Sequence, residues 1–211
     1  LDNQGAATRE SGYYQCTNRN KYSVAIDIAT EQGQELIREI AKTADVVIEN
    51  YKAGSLEKYG LDYASLNQLN PNLVYCSITG FGQTGPRAEE PGYDFIIQGM
   101  SGLMSITGEK DESPSGGAQK VGVAVVDIQT GLYATVAIQA ALLARQHTGC
   151  GQYIDLSLLD VQVATLANQG MNYLTSGVAP KRMGNNHPNI VPYQTFKAKD
   201  KEFIIACGND K

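Results

Sequence analysis

Along the first 80 residues the spacing of apolar side chains switches repeatedly between two periods, and this alternation restricts the fold more than any other feature. In residues 23–28, Val24, Ile26 and Ile28 alternate with Ala25 and Asp27, which predicts a short strand. Thr30 then offers a helix N-cap, Glu31 and Glu35 suit the positive end of a helix, and Leu36, Ile37, Ile40, Ala41 and Ala44 form one apolar stripe. Val46-Val47-Ile48 reads as a buried strand running into the polar pair Glu49-Asn50. A helix over Tyr63–Leu69 follows, Asn70-Pro71-Asn72 marks a turn, and residues 73–78 form another strand. Strand, helix, strand, helix, strand with short connections predicts an α/β chain, an open parallel Rossmann-like sheet with flanking helices.

Beyond Ile78 the segment Thr79-Gly80-Phe81-Gly82-Gln83-Thr84-Gly85-Pro86 fits neither period and reads as a loop. It follows a strand's carboxyl end, the edge at which open parallel sheets bind ligands. Its glycine spacing is not the dinucleotide fingerprint. One helix is expected over residues 93–106 despite Gly99 and Gly102, and a polar loop over residues 108–117. Gly122 to Val126 makes a small-residue apolar approach to Asp127. Ile128, Leu132, Val136, Leu142 and Leu143 then mark a long helix that Gly149 stops. Residues 153–156 read as a strand, 158–173 as a helix and 202–207 as a strand.

Composition narrows the function classes. Of 211 residues 42% are hydrophobic, enough to bury a core, and dispersed charge argues against disorder. The net charge of -5 disfavours a nucleic-acid partner, whose binding needs clustered Lys and Arg. The apolar run from Ala137 to Ala144 is broken by Gln139 and falls short of the roughly 20 residues that span a bilayer. Cys16, Cys76, Cys150 and Cys207 are widely separated and only His147 and His187 could join them, so neither a zinc site nor a disulfide framework is expected. A reducing compartment fits these thiols. The cytoplasm is the expected location, with an organelle left open because a preceding segment could carry a signal.

Candidate chemistry therefore rests on carboxylates and hydroxyls. Asp127, at the start of a helix and reached through an apolar backbone, reads either as an N-cap or as a nucleophile able to attack an acyl group. Asp160 reads as a carboxylate favoured by a helix dipole. Tyr93 and Asp94 after Pro91-Gly92 could meet a ligand. Lys21, Lys58 and Arg19 could meet phosphates, although solvated surface charge is the usual state of such residues. His187 lies in a polar loop, and Cys76, within an apolar strand, reads as an inert buried thiol.

Val47-Ile48-Glu49-Asn50-Tyr51, Ser77-Ile78-Thr79-Gly80-Phe81-Gly82-Gln83-Thr84-Gly85-Pro86 and Gly92-Tyr93-Asp94-Phe95 together resemble the class III CoA-transferase family. Gly122-Val123-Ala124-Val125-Val126-Asp127 and Thr148-Gly149-Cys150-Gly151-Gln152-Tyr153-Ile154-Asp155 extend the resemblance in the same order, and the stretch after Met100 is most similar to the succinyl-CoA-dependent dicarboxylate branch. The resemblance implies an acyl-CoA:carboxylate CoA-transferase in which Asp127 attacks the donor thioester and passes through aspartyl anhydride and thioester intermediates. It implies coenzyme A contacts at Ile28, Asn50, Tyr51, Lys58, Tyr59 and Lys21, and acyl-group contacts at Tyr93 and Asp94. Coenzyme A enters as substrate, with no permanently bound cofactor, and its partner is a small carboxylic acid. The resemblance further implies an interlocked homodimer of the full-length protein. It assigns residues 1–180 to the central part of a large CoA-binding domain incomplete at its amino end, and residues 181–211 to a linker and the start of a smaller domain. Two other readings stay open. The same fold serves 2-methylacyl-CoA racemases, although Tyr93 stands where that branch carries histidine, and tyrosine is a poor proton shuttle at neutral pH. The third reading is a non-catalytic CoA-binding module.

Overall fold

The computed structural model describes residue 4 and residues 11–209. Among the described residues the first element is helix α1 (Gly12–Asn18), capped by the Ser11 hydroxyl, which accepts from the Tyr14 amide. Helix α2 (Glu31–Ala41) is capped by Thr30, whose hydroxyl accepts from the Gly33 amide. Strand β1 (Val46–Glu49), helix α3 (Tyr63–Leu69) and strand β2 (Val74–Thr79) follow. Helices α4 (Asp94–Met100) and α5 (Leu103–Ile106) precede the long α6 (Val125–Thr148), then β3 (Tyr153–Ser157), α7 (Leu158–Ala164) and α8 (Ala167–Ser176). Strands β4 (Tyr193–Lys197) and β5 (Glu202–Ala206) complete the order.

The sheet is parallel with order β1-β2-β3, and β2 lies at its centre. Alternation along β2 sorts its side chains between two faces. Tyr75 joins Ala41, Leu61 and Leu66 beneath α2 and α3, whereas Val74 and Cys76 join Ala134, Ile138 and Ala141 beneath α6. Because both faces are covered, β2 reads as a nearly continuous apolar run. Helix α6 turns Val126, Thr130, Ala134, Ile138 and Ala141 inward and leaves Ile128, Leu132, Val136 and Leu143 exposed.

Three expectations are corrected. Residues 23–28 pair with no strand among the described residues: Val24 is 70% exposed, and Asp27 opens the turn into α2 by accepting from the Ala29 amide. The alternation there is real, since Ile26 and Ile28 are half-buried, but a periodic pattern makes a strand only beside an edge that accepts it. The helix expected over residues 93–106 breaks at Gly102, which adopts φ 93°. That expected over 158–173 breaks after Ala164, where the Thr165 hydroxyl bonds the Gln162 carbonyl and the Gln129 side chain. By length and composition alone, α6 is long and apolar enough to cross a membrane. Its inner face is nonetheless packed on the sheet. Strand β5 pairs antiparallel with β4, which the sequence reading missed, in a two-stranded sheet separate from the first.

Candidate active site

Helix α6 starts at Val125 with Ala124 in the capping position, so Asp127 sits in its first turn and is not its N-cap. The cap comes from another element. The Asp94 carboxylate, at the start of α4, accepts from the Val126 amide at 2.8 Å through Oδ1 and from Gln98 Nε2 at 2.7 Å through Oδ2. Gln98 is fully buried one turn further along α4, and its Oε1 accepts from the Val121 amide at 2.8 Å. Two side chains of α4 thus hold both ends of the segment 121–126, an irregular stretch and the start of α6, that delivers Asp127. With Asp94 serving the helix amide, the Asp127 carboxylate is left facing a cavity of about 700 Å³ whose lining includes Tyr13, Cys16, Tyr93 and Lys120. Withdrawal from water, and secondly the charge of Asp94, hold the Asp127 pKa above its ordinary value.

A second device brings Tyr93 to the same place. Gly80, just past β2, and Gly92 meet backbone to backbone, and a Cβ on Gly92 would lie 2.3 Å from the Gly80 Cα. Only glycine at both positions permits this approach. The loop between them is tied down where Thr79 Oγ1 accepts from the Gly82 amide and the Asp155 carboxylate accepts from the Gln83 amide. The chain therefore leaves the carboxyl edge of the sheet and returns to it at Tyr93. That residue lines both the Asp127 cavity and a neighbouring one of about 370 Å³ shared with Asn50, Tyr51 and Gly80.

The other expected residues fall into separate groups. Asn50 and Tyr51 are exposed at the end of β1, where Asn50 Nδ2 donates to the Ile78 carbonyl at 2.5 Å and the Tyr51 amide donates to Glu49 at 2.7 Å. Lys58 and Tyr59 share a short 3₁₀ turn, with the Lys58 ammonium 4.6 Å from the centre of the Tyr59 ring. Tyr59 and Ile28 pack against one buried cluster on the α2 and α3 face. Lys21 is exposed in the extended segment before α2 and lines neither cavity around Tyr93. Asp160 is exposed in the first turn of α7, which Ser157 caps, in keeping with a structural part. His187 Nδ1 accepts from the amides of Asn189 and Ile190, so that nitrogen is engaged in a turn. Cys76 is buried and its thiol is pushed up to about 11 by burial. No cluster of three or more His, Cys, Asp or Glu among the described residues is arranged to hold a metal.

Three contributors escaped the sequence reading: Gln98, Lys120 and helix α1. Gln98 lies four residues after Asp94, the spacing at which side chains meet on a helix, and that was its one available signal.

The profile of CoA-transferase family III matches residues 2–211. The chain belongs to that family. Succinate–glutarate CoA-transferase of Agrobacterium fabrum is 58% identical over 200 residues, covering 95% of this chain and 49% of that protein. Human succinyl-CoA:glutarate CoA-transferase is 45% identical over 202 residues, 96% of this chain and 45% of that protein. Among solved structures, a CAIB/BAIF family protein from Brucella suis superposes with a TM-score of 0.81 at 60% identity, covering 90% of this chain and 49% of that one. The chain spans about half the length of the relatives it matches. Family III membership and the likeness to the Brucella protein agree with the α/β architecture expected from the sequence.

Proposed function

We propose that the full-length protein is an acyl-CoA:carboxylate CoA-transferase acting on dicarboxylic acids, with Asp127 as its nucleophile. The observation that carries this reading is the Asp127 carboxylate, relieved of helix capping by Asp94 and facing a cavity of about 700 Å³. The dicarboxylate preference is supported by relatives named for succinate, glutarate and mesaconate.

In this mechanism an Asp127 oxygen attacks the thioester carbonyl of the donor, the C–S bond breaks, and its electron pair leaves on the coenzyme A thiolate. The product is a mixed anhydride of Asp127 and the donor acid. The thiolate then attacks the Asp127 carbonyl of that anhydride, releasing the donor carboxylate and leaving Asp127 as a thioester. The acceptor carboxylate attacks this thioester, expels the thiolate, and forms a second anhydride. Attack by the thiolate on its acyl carbonyl yields the new acyl-CoA and restores Asp127. No net proton moves, so the cycle needs neither a histidine base nor a resident cofactor.

Asn50 and Tyr51 at the strand end, Lys58 with Tyr59, and Ile28 and Lys21 are proposed to hold coenzyme A, with Tyr93 leading its thioester towards Asp127. Asp94 acts in this reading by positioning Asp127. The full-length protein is proposed to work as a homodimer with a linker near residue 181, and in the cytoplasm.

The test is peptide mass spectrometry of the full-length protein after brief incubation with succinyl-CoA and quenching. A covalent adduct is expected on the peptide containing Asp127, absent in Asp127→Ala, which also loses exchange. Retained exchange in Asp127→Ala would overturn the reading.

A further inference from the structure

The cavity at Asp127 has an asymmetric charge arrangement. Its described lining contains two carboxylates, Asp94 and Asp127, and a single cation, Lys120. Both Asp94 oxygens are occupied by the Val126 amide and by Gln98. Lys120 takes part in no ion pair among the described residues, and its ammonium donates to the carbonyl of its own neighbour Val121 at 3.3 Å. The cavity thus presents a nucleophilic carboxylate and an uncommitted ammonium to whatever enters.

Their placement is fixed by the same clamp. Gln98 accepts from the Val121 amide, immediately after Lys120, and Asp94 accepts from the Val126 amide, immediately before Asp127. Lys120 and Asp127 therefore flank a segment pinned at both ends by α4. A ligand that suits this pair carries an electrophilic carbonyl for Asp127 and, at its far end, an anion for Lys120. An acyl group with a terminal carboxylate has that form. Without a cation, such a group would meet only the like charges of Asp94 and Asp127, which disfavour it. With Lys120 the repulsion is offset, and an acyl chain lacking the second carboxylate gains nothing from the ammonium. The flexible four-carbon stem of lysine can follow chains of slightly different length.

We propose that Lys120 is the specificity-determining residue that binds the distal carboxylate of a dicarboxylic acyl group at this cavity. This inference rests on the CoA-transfer reading for its catalytic consequence and on the cavity alone for its binding consequence. Two measurements on the full-length protein separate them. The first is the ratio of kcat/KM for succinyl-CoA to that for butyryl-CoA, a chain of equal length without the second carboxylate. Lys120→Met is expected to lower this ratio about 10- to 100-fold, the loss of one charge-assisted hydrogen bond, while Lys120→Arg keeps most of it. An unchanged ratio, or an equal loss with both donors as expected of a lysine that holds a coenzyme A phosphate, would overturn the proposal. The second is calorimetric titration with glutarate and with butyrate, which needs no turnover. Glutarate binding that Lys120→Met weakens, with butyrate bound poorly throughout, supports the proposal even where no donor is turned over, in which case the transfer reading alone fails. Glutarate bound equally by the wild type and Lys120→Met would overturn it whatever the enzyme's activity.

Discussion

At position 94 the residue must accept twice, because backbone and amide donors meet both carboxylate oxygens. The polarity of the chain is dictated from its ends: the Val121 amide can only donate, so Gln98 must present its oxygen there and its NH₂ group to Asp94. Asn at 94 would set its own NH₂ against either Gln98 or Val126. We expect Asp94→Asn to cost about 1–3 kcal/mol of stability, the penalty for buried groups left unpaired. It should also move a pH profile. Asp127 attacks as an anion, and its pKa is raised from 3.8 by withdrawal from water and then by the Asp94 charge. The acid limb of the exchange rate should therefore lie above that of an ordinary aspartate, with activity falling as pH drops through the raised pKa. Removing the Asp94 charge should shift that limb to lower pH, even as the rate at neutral pH declines through lost positioning. A limb that stays in place in Asp94→Asn would show that the two carboxylates do not sense each other.

Among the elements, those legible in the sequence are bounded by local chemistry. Helix α3 occupies the expected Tyr63–Leu69 because Asp62 caps one end and Asn70-Pro71 ends the other, and α6 stops at Gly149 because that residue adopts φ 70°. What escaped depends on distant partners. The apolar alternation of residues 23–28 finds no strand to pair with among the described residues, and β4 becomes a strand through its pairing with β5. At the candidate site, Asp127 and Tyr93 were visible as residues, but the contact that unites them was not. Gly80 and Gly92 lie twelve positions apart in a glycine-rich stretch, and nothing local says that they touch. Gly92→Ala tests that contact. Its methyl group would enter the space of the Gly80 backbone, which has no side chain to turn aside. Overpacking of this kind costs about 1–3 kcal/mol, so the melting temperature should fall modestly. Exchange activity should fall much further, because the displaced loop end carries Tyr93 and Asp94. Activity close to wild type would mean that the loop returns to the sheet edge without that contact.

Taken as a whole, the molecule links its two sheets through a connection, residues 177–192, that contains no helix or strand. Order there comes from a few specific bonds to the end of α5 and to the loop at residues 107–119. Arg182 donates to the Ser105 carbonyl at 3.0 Å and pairs with Asp111, and the Gly184 amide donates to the Gly108 carbonyl at 3.2 Å. The sequence showed a polar loop at residues 108–117 and, by resemblance, a linker from residue 181, and the charges of Arg182 and Asp111, 71 positions apart, gave no sign that they meet. This attachment matters for the site because the same loop runs directly into Lys120. In Arg182→Ala the loop and the connection should separate more often while the parallel sheet is untouched. A partly exposed ion pair contributes up to about 1 kcal/mol, which is about fivefold in the rate of local opening. Hydrogen exchange should accordingly quicken by that factor at the amides of Gly184 and Gln119, the latter bonded to the Thr107 carbonyl within the loop. The amides of β2, at the centre of the sheet, should exchange as in the wild type. Equal acceleration in β2 would mean that Arg182 supports global stability, and no change at Gly184 would mean that the main-chain bond alone holds the connection in place.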